Sequence, residues 1–217
     1  MITAWLAGAS GLVGGTLLRG LLDDAEFGRV VSVGRRVLPL ADPKLSQVMI
    51  DFAASDAFDG LPSPDVAFCC LGTTIGKAGS QEAFRAVDHT AVLAFARAAH
   101  RAGARTFVYV SSMGADPRSR IFYSRVKGEV EAAVAGIGFA SACALRPSIL
   151  DGPRRESRPF ERVGLAMMRP LGPLLGRYRP TPVGRVAAAM VAAAKAPRPG
   201  AHALEADVIL RTEPAPA

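Results

Sequence analysis

The chain is poor in the residues that specialised small proteins depend on. Its 217 residues include 3 Cys, 3 His, 3 Tyr and 1 Trp, and aromatic side chains make up only 6% of it. Cys69 and Cys70 are adjacent within an apolar run, so the cysteines cannot supply the disulfide framework of a secreted mini-domain. They read as core residues, in a reducing and cytoplasmic setting. His89, His100 and His202 stand at no spacing that gathers them with cysteines or carboxylates, and no metal site is expected. The uncharged start, 1–18, is broken by glycines and lacks a basic leading region, so neither a spanning helix nor a secretory signal is expected. Acidic residues are also scarce, with 19 Asp+Glu against 26 Lys+Arg and a net charge of +7. The basic residues are mostly Arg, scattered in small groups with few aromatics among them. A nucleic-acid partner is therefore not expected.

What is present describes a folded domain. Hydrophobic residues account for 50% of the chain and charged residues for 21%, which excludes a disordered tail. A chain of this length buries roughly 70% of its unfolded surface, enough for one sizeable core. One domain over 1–217 is expected: a cofactor-binding core to residue 147 and a small lobe over 148–217. Assembly as monomer or homodimer is left open.

Apolar runs at Thr3–Ala7, Arg29–Val33, Gln47–Asp51, Asp65–Leu71, Thr106–Val110 and Phe139–Leu145 predict strands. Helical spacing predicts helices over Val13–Leu22, Ser80–Ala102, Tyr123–Ala135 and Val183–Ala196, with Ser80 as N-cap and Gly103 just past the helix end. A last strand is expected over Ala203–Leu210, ahead of a frayed Pro/Ala tail. Continuously apolar strands alternating with helices predict an α/β fold, a doubly wound parallel sheet of Rossmann type with a small C-terminal lobe.

The first strand runs into Gly8-x-x-Gly11-x-x-Gly14, which opens the first helix. Glycines there permit a tight turn, let the backbone approach a pyrophosphate and let helix pack on strand. The helix N-terminus then offers free N–H groups to phosphate oxygens. A dinucleotide site is expected, with Ser10, Leu12 and Val13 beside these glycines. At the end of the second strand, where an NAD site carries a carboxylate for the ribose hydroxyls, the sequence reads Val33-Gly34-Arg35-Arg36. Two guanidinium groups suit a 2′-phosphate, so NADP(H) is favoured over NAD(H). Asp51 at the third strand end is either an adenine contact or an ordinary loop acid.

Tyr123-x-x-x-Lys127 lies on a predicted helix, after the strand end Ser111-Ser112. Spacing of four puts phenol and ammonium on one helix face, where the positive charge favours tyrosinate. Tyrosine can then serve as general acid or base toward a carbonyl or alcohol. Lys77, in a Gly-rich loop, faces either an anionic ligand or solvent. The Met167–Tyr178 segment either roofs a substrate pocket or packs within the C-terminal lobe.

These motifs, in this order, resemble the short-chain dehydrogenase/reductase superfamily. Cys69 to Gly79 (CCLGTTIGKAG), Phe84 to Asp88 (FRAVD), Tyr123 to Glu131 (YSRVKGEVE), Arg146-Pro147 and Arg155 to Pro159 (RESRP) are similar to its atypical branch, the one that includes the HIV-Tat-interacting oxidoreductase. The resemblance covers most of 2–160. It implies that Gly8, Ser10, Gly11, Leu12, Val13 and Gly14 border the pyrophosphate and that Arg35 and Arg36 face the 2′-phosphate. It further implies that Leu71 and Gly72 flank a ribose, Leu150 nears the nicotinamide, and Arg158 closes over the site. Tyr123, Lys127 and Ser112 take the catalytic positions, Ser112 matching the substrate-orienting serine better than Ser111. Asp88 stands where many members of the superfamily have a relay Asn. The implied function is an NADP(H)-dependent oxidoreductase acting on a small carbonyl or alcohol. The alternatives are a catalytically weak NADPH-sensing regulatory or assembly protein and, less favoured for want of a large substrate lobe, a nucleotide-sugar epimerase or dehydratase.

Overall fold

The computed structural model describes residues 1–54, 56–152 and 179–213. Its centre is a parallel sheet built from β1 (Ile2–Ala7), β2 (Phe27–Gly34), β3 (Leu45–Met49), β4 (Val66–Cys69), β5 (Thr106–Val110), β6 (Ser141–Arg146) and β9 (Gly200–Glu205), in the spatial order β3-β2-β1-β4-β5-β6-β9. The remaining strands, β7 (Leu150–Asp151) and β8 (Thr181–Pro182), pair with each other. The helices are α1 (Leu12–Asp23), α2 (Ile75–Ala78), α3 (Gln81–Arg85), α4 (Val92–Arg101), α5 (Phe122–Ala135), α6 (Val183–Lys195) and α7 (Ala206–Arg211), with a π-helical segment over Ala86–Ala91.

The strands are apolar throughout because both of their faces are covered. Trp5 and Ala7 of β1 face a layer that includes Phe95 of α4 and Val130 of α5, whereas Ala4 and Leu6 face Leu17 and Leu21 of α1 and Met190 of α6. Phe107 and Tyr109 of β5 join the first layer and Val108 the second, as the two-residue period of a strand requires. The Trp5 indole N–H donates to the Pro62 carbonyl at 2.8 Å, so its one polar atom is satisfied in the core.

Strand order reverses between β1 and β4, which opens a crevice beyond their carboxyl ends. β9 pairs with β6 along its whole length and α6 packs in the α1 layer, so this part of the C-terminal region completes the main fold.

Two expected elements differ. The helix expected over 80–102 runs on without a gap from Gln81 to Arg101 but is rewound in its middle, α3 passing through the π-helical turn into α4, and Ser80 caps it by accepting the Ala83 N–H at 3.0 Å. The final strand over 203–210 is instead β9, beginning earlier at Gly200, followed by α7. Ala206 and Ile209 are both buried at a spacing of three, and Arg211 meets Asp207 at 3.5 Å one turn away, a helical pattern hidden in a short apolar run. The expected frayed tail, 214–217, lies outside the described residues.

Candidate active site

The turn after β1 is set by backbone contact. Gly8 has φ +89°, and a Cβ there would stand 2.5 Å from the carbonyl carbon of Cys70 at the end of β4. The Gly11 N–H donates to the Gly8 carbonyl at 2.9 Å, and a Cβ on Gly14 would come within 2.2 Å of that same oxygen. Helix α1 therefore sits directly on the turn. Its N-terminus has no side-chain cap and no acidic residue in the first turn, which leaves its partial positive charge uncompensated by the chain. Ser10 and Gly11 are exposed at the crevice, Leu12 is half-buried, and Val13 is buried in the α1 layer.

A cleft of about 130 Å³ lies over this turn. Its walls are Gly8–Gly11, Arg35 and Arg36 beyond β2, Leu71 and Gly72 beyond β4, and the Phe52 ring. No carboxylate lines it among the described residues. Asp51 stands outside it, exposed, with Oδ1 accepting the Ala53 N–H at 3.0 Å. A more open groove of about 430 Å³ between α4 and α5, edged by Arg97, His100 and Arg101, contains none of the expected site residues.

Helix α5 carries Tyr123 and Lys127 one turn apart. Tyr123 is half-buried with its ring 5.6 Å from that of Phe84, and Lys127 is buried. The Lys127 ammonium forms an ion pair with Asp88 Oδ1 at 2.8 Å. Asp88 Oδ2 accepts the Thr73 N–H at 2.7 Å. Burial alone would lower the affinity of Lys127 for its proton, but the negative charge of Asp88, together with Tyr123, outweighs it and holds the lysine above its ordinary value. Asp88 belongs to the π-helical turn, a local rewinding that recurs at functional sites. A Cβ on Gly72 would lie 3.4 Å from Asp88 Oδ1, so the β4 strand end passes close beside the pair.

The two serines after β5 have different surroundings. Ser111 is buried and its hydroxyl donates to Glu131 of α5 in a very short contact. The half-buried Ser112 hydroxyl makes only a 3.4 Å contact with the adjacent Met113 carbonyl. Glu131 also accepts from Arg146 Nε at 3.0 Å, and Arg146 reaches Glu205 at 2.8 Å. One carboxylate thus joins α5 to the ends of β5 and β6, and through Arg146 to β9. Gly128 completes the arrangement, since a Cβ on it would lie 2.2 Å from the Asp116–Pro117 backbone.

Leu150 lies in β7 and is partly buried against the α1 layer. Arg158 and the Met167–Tyr178 segment fall outside the described residues. The structure thus brings the glycine turn, both arginines, Leu71 and Gly72 to one cleft, with Tyr123 and Lys127 on α5 reached through Asp88 and the β4 end. The clamp of Asp88 on Lys127 and the Ser111–Glu131–Arg146 chain are not among the sequence expectations. Their sequence signals are Asp88 itself, at the relay position, and the helical run Lys127-Gly128-Glu129-Val130-Glu131, where an interior glycine costs about 1 kcal/mol unless a close approach requires it.

No protein-family model matches the chain. It is 34% identical over 216 residues to protein fmp52, mitochondrial, of Aspergillus clavatus, covering 96% of this chain and 91% of that one. It is 39% identical over 163 residues to protein HTATIP2 of Rattus norvegicus, covering 73% and 67%. Among solved structures, MoeE5 in complex with UDP-glucose and NAD superimposes with a TM-score of 0.72 at 20% identity, over 93% of this chain and 75% of that one, which shows the shared Rossmann fold. The expectation of a cytoplasmic protein is corrected here, because the fmp52 relatives are named mitochondrial. Cysteine usage separates oxidising from reducing surroundings and does not tell one reducing compartment from another. With a third or more of residues identical along most of its length, and with the glycine turn and the Tyr123–Lys127 helix in place, the chain belongs to the atypical short-chain dehydrogenase/reductase family.

Proposed function

We propose that the chain is an NADP(H)-dependent oxidoreductase that interconverts a small carbonyl compound and its alcohol. The observation that carries this reading is the cleft itself. Arg35 and Arg36 stand on its wall opposite the Gly8–Gly11 turn, with no carboxylate among the described lining residues. A 2′-phosphate finds two fork-shaped donors there, whereas a site for unphosphorylated NAD would offer a carboxylate to the ribose hydroxyls.

The residues fit a dinucleotide on their own geometry. Side chains at Gly8 and Gly14 would collide with the backbone, and the uncapped start of α1 faces the position that a pyrophosphate would take. Gly8, Ser10, Gly11, Leu12, Val13 and Gly14 would hold the pyrophosphate, Arg35 and Arg36 the 2′-phosphate, and Leu71 and Gly72 a ribose. Leu150 would lie toward the nicotinamide, and Arg158 would close over it. Asp51 is left with its own turn. When bound, the nicotinamide supplies or accepts the hydride.

In the reductive direction Tyr123 would donate its phenolic proton to the carbonyl oxygen, and in the oxidative direction it would take the proton back. Lys127 stabilises the resulting tyrosinate by its charge and reaches the ribose. Ser112, whose hydroxyl is less engaged than that of Ser111, orients the carbonyl. A sugar-nucleotide substrate is less favoured, because β9, α6 and α7 belong to the main fold rather than to a separate substrate lobe.

Fluorescence titration tests the reading. NADPH binding at micromolar concentration, tighter than NADH by tenfold or more, supports it. Absence of NADPH binding in that range overturns it.

A further inference from the structure

We propose that Gln47 is a positioning residue for cofactor choice, whose side-chain amide fixes the backbone just beyond Arg35 and Arg36 and so sets both guanidinium groups toward a 2′-phosphate. The proposal rests on the NADP(H) reading of the cleft. In a parallel sheet the crossover between neighbouring strands is usually a helix, whose backbone groups satisfy one another. Between β2 and β3 the chain makes this crossover over 35–44 with no helix. Its N–H and carbonyl groups therefore need partners from outside the segment.

Gln47, in the middle of the edge strand β3, supplies them. Its Oε1 accepts the Leu38 N–H at 2.8 Å, and its Nε2 donates to the Leu38 carbonyl at 3.1 Å and to the Leu40 carbonyl at 2.8 Å. A primary amide carries the acceptor and the two donors that this requires, whereas a carboxylate or an apolar chain of similar length does not. Pro39, next in sequence, restricts Leu38 to extended backbone, so the pinned segment has little freedom left.

Leu38 carries that constraint to the cleft. It packs against the α1 layer and stands on the cleft wall with Arg35 and Arg36, separated from Arg36 only by Val37. Both arginines are exposed, so the course of the backbone decides where their guanidinium groups can reach. The far end of the crossover is tied independently, since Lys44 Nζ donates to the Leu22 carbonyl at 2.7 Å and to the Asp24 carbonyl at 2.9 Å, at the end of α1. The two anchors can be released one at a time.

The test compares Gln47→Met with Lys44→Met. Amide hydrogen exchange of the cofactor-free protein reads the first anchor directly. In the unmodified protein the Leu38 N–H is expected to exchange at least tenfold more slowly than in an unstructured chain. In Gln47→Met it should exchange at least tenfold faster than in the unmodified protein, with Val31 and Val33 of β2 unchanged. An unprotected Leu38 in the unmodified protein overturns the proposal whether or not either variant folds.

Fluorescence titrations with NADPH and NADH read the consequence. Gln47→Met is expected to raise the NADPH Kd tenfold or more and the NADH Kd by no more than threefold. Lys44→Met, which loosens the same crossover away from the arginines, is expected to lower Tm and to leave the preference for NADPH over NADH within twofold. An unchanged preference in Gln47→Met, or an equal loss of preference in Lys44→Met, overturns the proposal. Failure of the NADP(H) reading looks different. The unmodified protein then shows no preference for NADPH, which removes the specificity claim with it while Leu38 stays protected.

Discussion

A Cβ on Gly14 would stand 2.2 Å from the carbonyl oxygen of Gly8, so the first helix rests on the turn that introduces it with no space for even a methyl group. Gly14→Ala must push α1 away from the β1 end. Overpacking of this kind costs roughly 1–3 kcal/mol. For a chain of this size that lowers Tm by on the order of 2–4 °C per kcal/mol. Because the displaced helix end is the proposed pyrophosphate site, NADPH affinity should fall tenfold or more. Calorimetry and a fluorescence titration check the two effects separately.

Arg35 and Arg36 are both exposed on the cleft wall, so replacing them should leave folding unaffected. Each charge-assisted hydrogen bond to a phosphate contributes about 1.5–3 kcal/mol. The double variant Arg35→Ala, Arg36→Ala should therefore raise the NADPH Kd by roughly 100-fold or more. Its NADH Kd should stay within a few fold, so that the preference between the two cofactors collapses. Equal losses for both cofactors would place the arginines elsewhere than at the 2′-phosphate.

Glu131 joins Ser111 to Arg146 between α5 and the ends of β5 and β6. Both carboxylate oxygens are engaged, and the Glu131 side chain is 15% exposed against 25% for Arg146. Glu131→Gln leaves a partly buried guanidinium with a weaker partner, at a cost of about 2–3 kcal/mol, below that of breaking a fully buried pair. Chemical denaturation should show the loss as a lower midpoint. NADPH affinity should stay within threefold, while kcat falls because the Ser111-Ser112 strand end is no longer held against α5.

Much of this arrangement was legible in the residues. Apolar strands flanked by glycines foretold the sheet, and Gly8, Gly11 and Gly14 foretold the turn, because an apolar run and a glycine spacing are local patterns, although the contact that requires Gly8 comes from distant Cys70. The π-helical rewinding inside the long helix was not legible. The apolar spacing over 80–102 reads as helical throughout, and the contacts Asp88 makes from the π turn, to Thr73 and Lys127, join residues 15 and 39 positions away. The boundary between β9 and α7 was missed for a similar reason. Pairing of Gly200–Glu205 with β6 decides where the strand lies, and a short run such as Ala203–Leu210 fits either period. The different surroundings of Ser111 and Ser112 were not legible, because Glu131, 20 positions on, stands beside only one of them.

Burial of the thiols gives a further prediction. It pushes Cys69 up to about 12 and Cys143 up to about 11, with Cys70 also raised well above its usual value. At pH 8 the thiolate of Cys69 is then about one part in 10,000, and iodoacetamide should modify the native protein far more slowly than the unfolded chain. Folded values above the unfolded one near 8.5 mean that the neutral thiols stabilise the fold fully below that pH. This contribution is lost as pH rises through 11 to 12. Rapid native labelling at pH 8 would contradict the burial.

The central claim is that Tyr123 exchanges a proton with the substrate while the cleft holds NADPH. The direct measurement is NADPH consumption by the unmodified protein and by Tyr123→Phe over a panel of aldehydes, ketones and quinones, with the NADPH Kd measured for both. The prediction is reproducible turnover that falls at least 1,000-fold in the variant, toward the upper end of what a general acid contributes, while Kd changes by no more than a few fold. Turnover retained in Tyr123→Phe would contradict the assigned role. NADPH binding with no turnover on any substrate would contradict the enzymatic claim and favour a regulatory protein that responds to the nucleotide.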